Sequence, residues 1–175
     1  MNLRRGVEIW MLAGMAVTAC SPALDWRDMR PAGLGLAMSM PCRPATQVRS
    51  VSLANQAFDM IMHACSQSGV MFSVGSFDVK DPAAVGTVLN TLVSAVQGNI
   101  EGHAASDEPA GVPGMTPHLA ARHIHFTGRL PDGRAVSAWL LVFSRGTRVY
   151  QAIALGGPSD AALAQQFVLG LKVLP

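Results

Sequence analysis

Residues 136–155, VSAWLLVFSRGTRVYQAIAL, contain the pattern that decides the fold. Residues 136–143 are apolar on both alternating faces, as expected of a strand that is covered on both sides of its sheet. Arg145-Gly146 then predicts a turn, and residues 147–155 predict a second strand that Gly156-Gly157-Pro158 ends. The stretch therefore predicts two central strands, with other elements packed against both faces of the sheet.

Further strands are predicted before these two. Leu36–Met40 is short and apolar, and Val48–Leu53 alternates apolar with polar residues. Residues 58–64 and 70–79 show the same period of two. The alternation in the second of these segments changes phase at Gly75-Ser76, and a glycine at a phase change predicts a β-bulge.

Two helices are predicted. Asp81 is a suitable N-cap, and Pro82 suits the first helical position, where its missing N–H costs nothing. Gly98 predicts the end of this helix. Its apolar stripe has spacings of three and four and consists of Val85, Val88, Leu89, Leu92, Val93 and Val96. Ser159 is predicted to cap a second helix that ends at Gly170.

The remaining segments complete an α+β pattern. Residues 102–117 hold three glycines and three prolines and predict a long exposed loop. Strands resume at Ala121, a hairpin turn is predicted at Leu130–Arg134, and a last short strand at 171–173. This order predicts an α+β fold, with a mainly antiparallel β-sheet flanked by helices.

Composition limits the class of protein. The chain has 175 residues, of which 50% are hydrophobic and 14% charged, so we predict one compact domain, over residues 35–175, rather than a disordered chain. The net charge is only +2 and no run of lysine or arginine concentrates it, so no nucleic-acid partner is expected.

The N-terminal residues predict export. Arg4-Arg5 precedes an apolar run over residues 9–17, which is too short to span a bilayer core of roughly 30 Å. Residues 1–19 are therefore predicted to be a signal peptide. Their end, Val17-Thr18-Ala19-Cys20, resembles the bacterial lipobox, which implies cleavage before Cys20 and attachment of lipid, palmitate included, to its thiol. Ordinary secretion with cleavage at the same bond is the alternative.

The cysteine count bears on this choice. Ordinary secretion would leave three thiols in an oxidising compartment, one of them odd, whereas lipidation of Cys20 leaves Cys42 and Cys65 as a pair. We predict a disulfide between these two, with two buried free thiols as the alternative. Residues 20–34 are predicted to be a lipidated tether, with Trp26 packed against the domain.

The C-terminal part of the chain resembles a known family. Arg148–Gln151, Gly156–Pro158 and Phe167–Leu171 are similar to the closing segment of the PsbP/Mog1/DcrB-like α/β/α sandwich family, and Met40-Pro41 resembles its opening Phe-Pro. The similarity covers roughly residues 35–173. It implies this sandwich fold and a non-catalytic accessory, assembly or partner-binding role, without a cofactor.

One histidine group is a candidate metal site. His123 and His125 lie on one side of a predicted strand, with His118 and His103 on the preceding segment, so zinc or copper binding is a hypothesis. A histidine pair on a sheet face, without metal, is the alternative. No Gly-x-Ser-x-Gly elbow or phosphate loop is present in the sequence, so we predict no catalytic residues and no enzyme activity.

Methionines suggest another alternative. They can line an adaptable apolar pocket or simply fill the core, and four of them stand on early strands: Met38, Met40, Met60 and Met62. The expectation from sequence is thus an envelope lipoprotein, facing the periplasm at the outer membrane, that binds another envelope protein. A carrier of a small apolar ligand, with its pocket between the sheet and the Asp81 helix, is the second hypothesis, and a histidine-based metal-binding protein is the third.

Overall fold

The computed structural model describes residues 24–175, and the predicted signal peptide and Cys20 lie outside this range. Ten strands and two helices follow one another. The strands are β1 (Arg27–Met29), β2 (Leu36–Met40), β3 (Ala45–Leu53), β4 (Gln56–Gln67), β5 (Val70–Asp78), β6 (His103–Pro109), β7 (Arg122–Arg129), β8 (Ala135–Arg145), β9 (Arg148–Gly156) and β10 (Lys172–Val173). The helices are α1 (Val85–Asn99) and α2 (Ala161–Leu169).

The strands form two antiparallel sheets. The larger sheet has seven strands in the order β3-β4-β5-β9-β8-β7-β6, and the smaller has the order β1-β2-β10. Helix α1 covers one face of the larger sheet, while α2 and the smaller sheet cover the other. The predicted α+β class with a mainly antiparallel sheet is confirmed.

Strand β8 is buried on both faces, as its sequence predicts. Leu141 and Phe143 belong to the core on the α2 face, whereas Leu140 and Val142 belong to the core on the α1 face. All four side chains are at most 3% exposed. The strand therefore joins the two cores, and β9 pairs with it along its length, from Ser137 to Arg145.

Helix α1 forms where its apolar stripe predicts it. The Asp81 carboxylate accepts the N–H of Ala83 at 2.9 Å, and Pro82 opens a 3₁₀ turn that leads into the helix. The helix continues to Asn99, one residue beyond the predicted end at Gly98. The buried stripe faces the sheet and supplies the core on that side.

Helix α2 ends at Gly170, as predicted, but its start is capped differently. The Asp160 carboxylate accepts the backbone N–H of Gly157 at 2.8 Å, so the prediction that Ser159 caps this helix is wrong. A 3₁₀ turn over Pro158–Asp160 precedes the helix and brings the longer aspartate side chain to the free N–H. Phe167 is fully buried against Phe72 in an edge-to-face contact with ring centroids 5.3 Å apart.

The prediction of a β-bulge at Gly75 is also wrong. The register of β5 with β9 is continuous from Met71 to Asp78. The phase change has another cause, because Phe72 and Val74 point into the core on the α2 face, whereas Phe77 points into the core on the α1 face. Gly75 itself makes room for Met60, whose Sδ would lie 2.7 Å from an added Cβ.

The predicted loop over residues 102–117 contains a strand instead. Residues 103–109 form β6, which pairs with β7 as an edge strand and carries a bulge between Ala104 and Ser106. Every residue of β6 is exposed, so its sequence lacks the apolar alternation that marks a buried strand. Backbone pairing with β7, rather than burial of side chains, holds this segment.

The folded domain begins before residue 35. Within the predicted tether, Arg27–Met29 forms β1 and pairs with β2, and Leu34 is fully buried. Trp26 packs against the core on the α2 face, as predicted. The segment is ordered because β2 offers it a free edge, which a local sequence pattern does not reveal.

Two glycines provide a matched test of how closely β7 packs against Ile100 at the end of α1. An added Cβ at Gly128 would lie 2.3 Å from the carbonyl oxygen of Ile100, whereas an added Cβ at Gly98 meets nothing within 4 Å. We expect Gly128→Ala to lower the free energy of unfolding by about 1–3 kcal/mol through overpacking. Gly98→Ala should leave it unchanged or raise it by up to about 1 kcal/mol through helix propensity. Urea denaturation of both variants measures this, and an equal response of the two would contradict it.

Candidate functional site

The two predicted histidines stand beside a tryptophan on the α2 face of the sheet. The rings of His125 and Trp139 stack with centroids 4.2 Å apart and planes 9° apart, and His123 approaches the same indole at 5.8 Å. The neighbours Ile124 and Phe126 point to the other face, into the core beneath α1. Because α2 packs against β5, β8 and β9, the histidines on β7 lie beside the helix rather than under it.

Hydrogen bonding fixes one of these rings. His125 Nε2 lies 2.5 Å from Ser137 Oγ, and Ser137 is only 3% exposed. His123 Nε2 and Trp139 Nε1 are buried without a hydrogen-bond partner in the described part of the chain. Burial lowers the pKa of both imidazoles. The Glu108 carboxylate, opposite His123 across the strand pair, partly offsets the shift in the pKa of His123.

The serine–histidine contact does not form an accessible catalytic pair. A nucleophile must reach a substrate, but Ser137 is buried, and stacking on Trp139 fixes the ring of His125. No carboxylate contacts His125 in the described residues, so no acidic partner supports this imidazole as a base. The arrangement stabilises this part of the sheet face.

In the described part of the chain, the structure does not bring three of the candidate metal ligands together. His118 Nδ1 accepts the backbone N–H of Ala120 at 3.0 Å, and its ring lies against α1 at Gly86. His123 faces away from α1, so the two imidazoles do not converge. His103 Nε2 instead lies 3.0 Å from Thr127 Oγ1. Residues 24–175 contain no group of three or more histidine, cysteine or acidic side chains placed to hold a metal ion.

An open apolar groove lies along the segment between β6 and β7. It has a volume of about 570 Å³ and is lined by residues of one continuous stretch of chain: Pro109, Ala110, Gly111, Val112, Met115, Pro117, His118 and Leu119. A smaller cavity of about 230 Å³ shares part of this lining and extends to His123 and the end of α2 at Leu169. Leu119 is 97% exposed and Leu169 is 64% exposed. The sequence does not predict this groove, because the segment reads only as a glycine- and proline-rich loop.

The methionines do not line one pocket. Met38 and Met40 are buried in the core on the α2 face, whereas Met60 is buried in the core beneath α1. The sheet separates these three methionines, which fill the two cores, and Met62 on β4 is half-buried. The groove is thus lined by loop residues and a single methionine, Met115, rather than by the methionines that the sequence singled out.

Cys42 and Cys65 form a disulfide. Their Cα atoms are 6.0 Å apart, and the bridge joins the segment before β3 to β4. His63, two residues away, is 6% exposed, with Nδ1 3.0 Å from Thr46 Oγ1, and burial lowers its pKa. The sequence does not predict burial of His63, because the alternation of residues 58–64 indicates the opposite face, with Phe58 and Met60, as the core face.

Comparison with known proteins gives no assignment: no protein-family model matches the chain, and no curated protein matches it either. Among the described residues, none of the helices has the length and apolar character needed to cross a membrane.

The buried histidines predict a pH dependence of stability. Burial lowers the pKa of His63, His123 and His125, so the folded chain binds fewer protons than the unfolded chain. Because the folded chain favours the neutral imidazoles, their contribution to the free energy of unfolding is complete above the unfolded-state pKa of about 6.5. This contribution is lost as the pH falls below that value towards the lower pKa values of the folded chain. We expect the free energy of unfolding in urea to decrease from pH 7.5 to pH 5.5.

The variant His125→Asn tests whether His125 contributes to this pH dependence of stability. His125→Asn keeps a hydrogen-bonding group beside Ser137 but does not titrate, so it should reduce the pH dependence between pH 7.5 and pH 5.5. Carboxylates titrate mainly below this window. If the free energy of unfolding of the wild-type chain at pH 5.5 equals or exceeds that at pH 7.5, the fold does not depend on neutral histidines.

Proposed function

We propose that the chain is a lipid-anchored protein of the bacterial cell envelope that binds another envelope protein. One observation carries the anchoring part of this proposal. The chain has three cysteines, and the Cys42–Cys65 disulfide leaves Cys20 as the remaining one, at the end of a signal-like segment. A disulfide also fits an oxidising compartment such as the periplasm.

The segment between Cys20 and the fold is short, so a lipid on Cys20 would hold the domain close to the membrane. The N–H of Asp25 donates to the carbonyl oxygen of Pro41 at 3.1 Å, so the chain meets the domain five residues after Cys20. A fully extended segment of that length spans at most roughly 18 Å. The domain would therefore stay near the membrane surface, within reach of other proteins at that surface.

The groove supports the partner-binding part. Its walls are apolar, and Leu119 at its end is almost fully exposed. An open groove with apolar walls is a common form of binding site for an apolar group of a partner or ligand. The groove is open to solvent along a surface segment, which suits an apolar side chain or short segment of a partner.

The proposal includes membership of the PsbP/Mog1/DcrB-like sandwich family. The three-layer arrangement agrees with that fold, and the matched residues hold its core: Tyr150 is stacked on Phe143, and Phe167 is buried against Phe72. These are packing positions, so the family likeness supports a shared fold and an accessory role rather than a reaction.

Intact-mass analysis of the protein from bacterial membranes tests the anchor. We expect the mature chain to begin at Cys20, to carry the mass of attached acyl chains, and to gain the mass of two hydrogens on reduction of Cys42–Cys65. Cys20→Ser should abolish the acyl mass and release the protein from the membrane fraction, because several acyl chains anchor at about 0.8 kcal/mol per buried methylene. Ser21→Ala is the matched control. An acyl-free wild-type chain would refute the anchor.

Site-specific photocrosslinking in the native envelope tests the partner. A photoreactive residue at Leu119 should give one defined crosslinked envelope protein, and the same residue at Met71, an exposed apolar position elsewhere, should not. Leu119→Asp should weaken copurification of that protein at least several-fold, because a buried, unpaired carboxylate opposes binding. No crosslink at Leu119, or identical products at both positions, would refute the groove as the binding site.

The groove volume also supports a second candidate function, although the groove lies along residues 109–119 and not in the predicted place between the sheet and α1, where the apolar stripe of α1 fills the core. About 570 Å³ falls within the range of small-molecule sites, so the protein can instead carry a small apolar ligand. Denaturing the purified protein and analysing the supernatant by mass spectrometry distinguishes the two. A stoichiometric released small molecule favours the carrier, and its absence together with the Leu119 crosslink favours the protein partner.

A further inference from the structure

Strand β3 is an exposed edge of the seven-stranded sheet. Its residues from Ala45 to Ser50 are all exposed, and Val48, at 66%, is one of the most exposed large apolar side chains in the described part of the chain. An edge strand presents unpaired backbone N–H and C=O groups, which are ready to pair with another strand.

The opposite edge, β6, is protected against such pairing. It has a bulge between Ala104 and Ser106 and ends in Pro109. Asp107 also forms an ion pair with Arg122 at 2.7 Å. Bulges, proline and charges are the usual means of blocking edge-to-edge association. Strand β3 has none of these except one charged residue, Arg49, and its register with β4 is continuous from Ala45 to Leu53.

Strand β3 is also held in a fixed position before any partner binds. The Cys42–Cys65 disulfide ties its start to β4, and a two-residue turn with positive φ at Ala54 and Asn55 closes its end. Such turns fix the register of a hairpin. Because the strand is already ordered, pairing it costs little conformational entropy.

The turn also determines which backbone groups point outwards. In a two-residue hairpin the flanking residues, here Leu53 and Gln56, form a hydrogen-bonded pair, and bonded and non-bonded positions alternate along the strand. Leu53 and every second residue before it therefore bond to β4. The backbone groups of the intervening residues face the open edge: Thr46, Val48, Ser50 and Ser52.

We propose that β3 pairs antiparallel with β3 of a second copy of the chain, about a two-fold axis through Val48. A two-fold axis through one residue of an antiparallel pair places even-numbered residues opposite even-numbered residues of the partner. The outward-facing residues, which are all even-numbered, therefore bond to one another. Centring on Val48 places Val48 against the partner's Val48 and Thr46 against the partner's Ser50. The exposed valine is then covered, and three outward-facing residues of each strand bond across the axis.

Charge disfavours the neighbouring register that is centred on Arg49. Centring on Arg49 would pair the full strand but would place two guanidinium groups directly opposite each other, which destabilises a strand pair. Centring on Val48 instead places Arg49 opposite the partner's Gln47. Within one chain, Arg49 already donates to Gln47 Oε1 at 2.8 and 3.1 Å, and the same donor and acceptor meet across the axis.

The resulting dimer is expected to be weak in free solution. A single strand pair buries less surface than a standard protein interface, so dimerisation depends on concentration. Confinement at a membrane would raise the effective concentration of the two copies. Pairing of two copies in detergent requires neither the lipid anchor nor another protein. A failure to dimerise can therefore be distinguished from a failure of the proposed function.

Cysteine crosslinking tests the register with the full chain purified in detergent. In the proposed dimer, Val48→Cys puts two Cα atoms about 5.5 Å apart, which is within the range of a disulfide. Ser50→Cys, equally outward-facing, puts its two copies roughly 14 Å apart. Mild oxidation should link Val48→Cys into dimers at least ten-fold faster than Ser50→Cys, with the wild-type chain as background. Equal rates for both variants overturn the proposal.

A proline variant tests the backbone contribution. The N–H of Val48 faces away from β4, so Val48→Pro in both copies removes the two central bonds across the axis while keeping the β3–β4 ladder. Sedimentation should show a concentration-dependent dimer for the wild type and for Val48→Thr, and at least ten-fold weaker association for Val48→Pro. Unchanged melting temperature and an intact Cys42–Cys65 bridge confirm that this variant folds. A monomeric wild type at all concentrations, or a Val48→Pro dimer of wild-type strength, overturns the proposal.

Discussion

The structure depends on the burial of both faces of β8 and β9. Leu141 and Phe143 contribute to one core and Leu140 and Val142 to the other, so a single strand must satisfy two packing environments at once. Neither α1 nor α2 could bury its apolar stripe without this double-sided sheet. The central strands are accordingly mostly apolar, whereas the edge strands β3 and β6 are mostly exposed.

The proposed binding groove and the histidine–tryptophan stack lie where this covering ends. Helix α2 has only nine residues and contacts β5, β8 and β9, so the same sheet face on β7 is left to side chains. There the stacked His125 and Trp139 and the buried Ser137 cover the sheet without a helix. Beyond these side chains, the glycine- and proline-rich segment over residues 109–119 lines an apolar groove. Rigid central strands thus support surfaces that are free to serve binding.

The cysteines connect fold and location. The disulfide fixes the base of the β3–β4 hairpin, far along the sheet from the central strands, where few apolar contacts are available. In the chain-entropy model, closing a loop of 23 residues stabilises the fold by about 3.5 kcal/mol. The link also holds the start of β3 against β4. The same pairing singles out Cys20, on which the proposed anchor rests.

Local sequence patterns determined the elements whose burial has a simple period. The central strands, the apolar stripe of α1 and the turn at Leu130–Arg134 follow from periodicity and turn chemistry, since these depend on neighbours in the chain. Tertiary structure alone decided that residues 103–109 form an edge strand, that His118 lies against α1 while His123 faces away from it, and that Gly75 continues a strand that serves two cores. Those outcomes depend on partners far away in sequence, whose hydrogen bonds and packing override or replace the local preference.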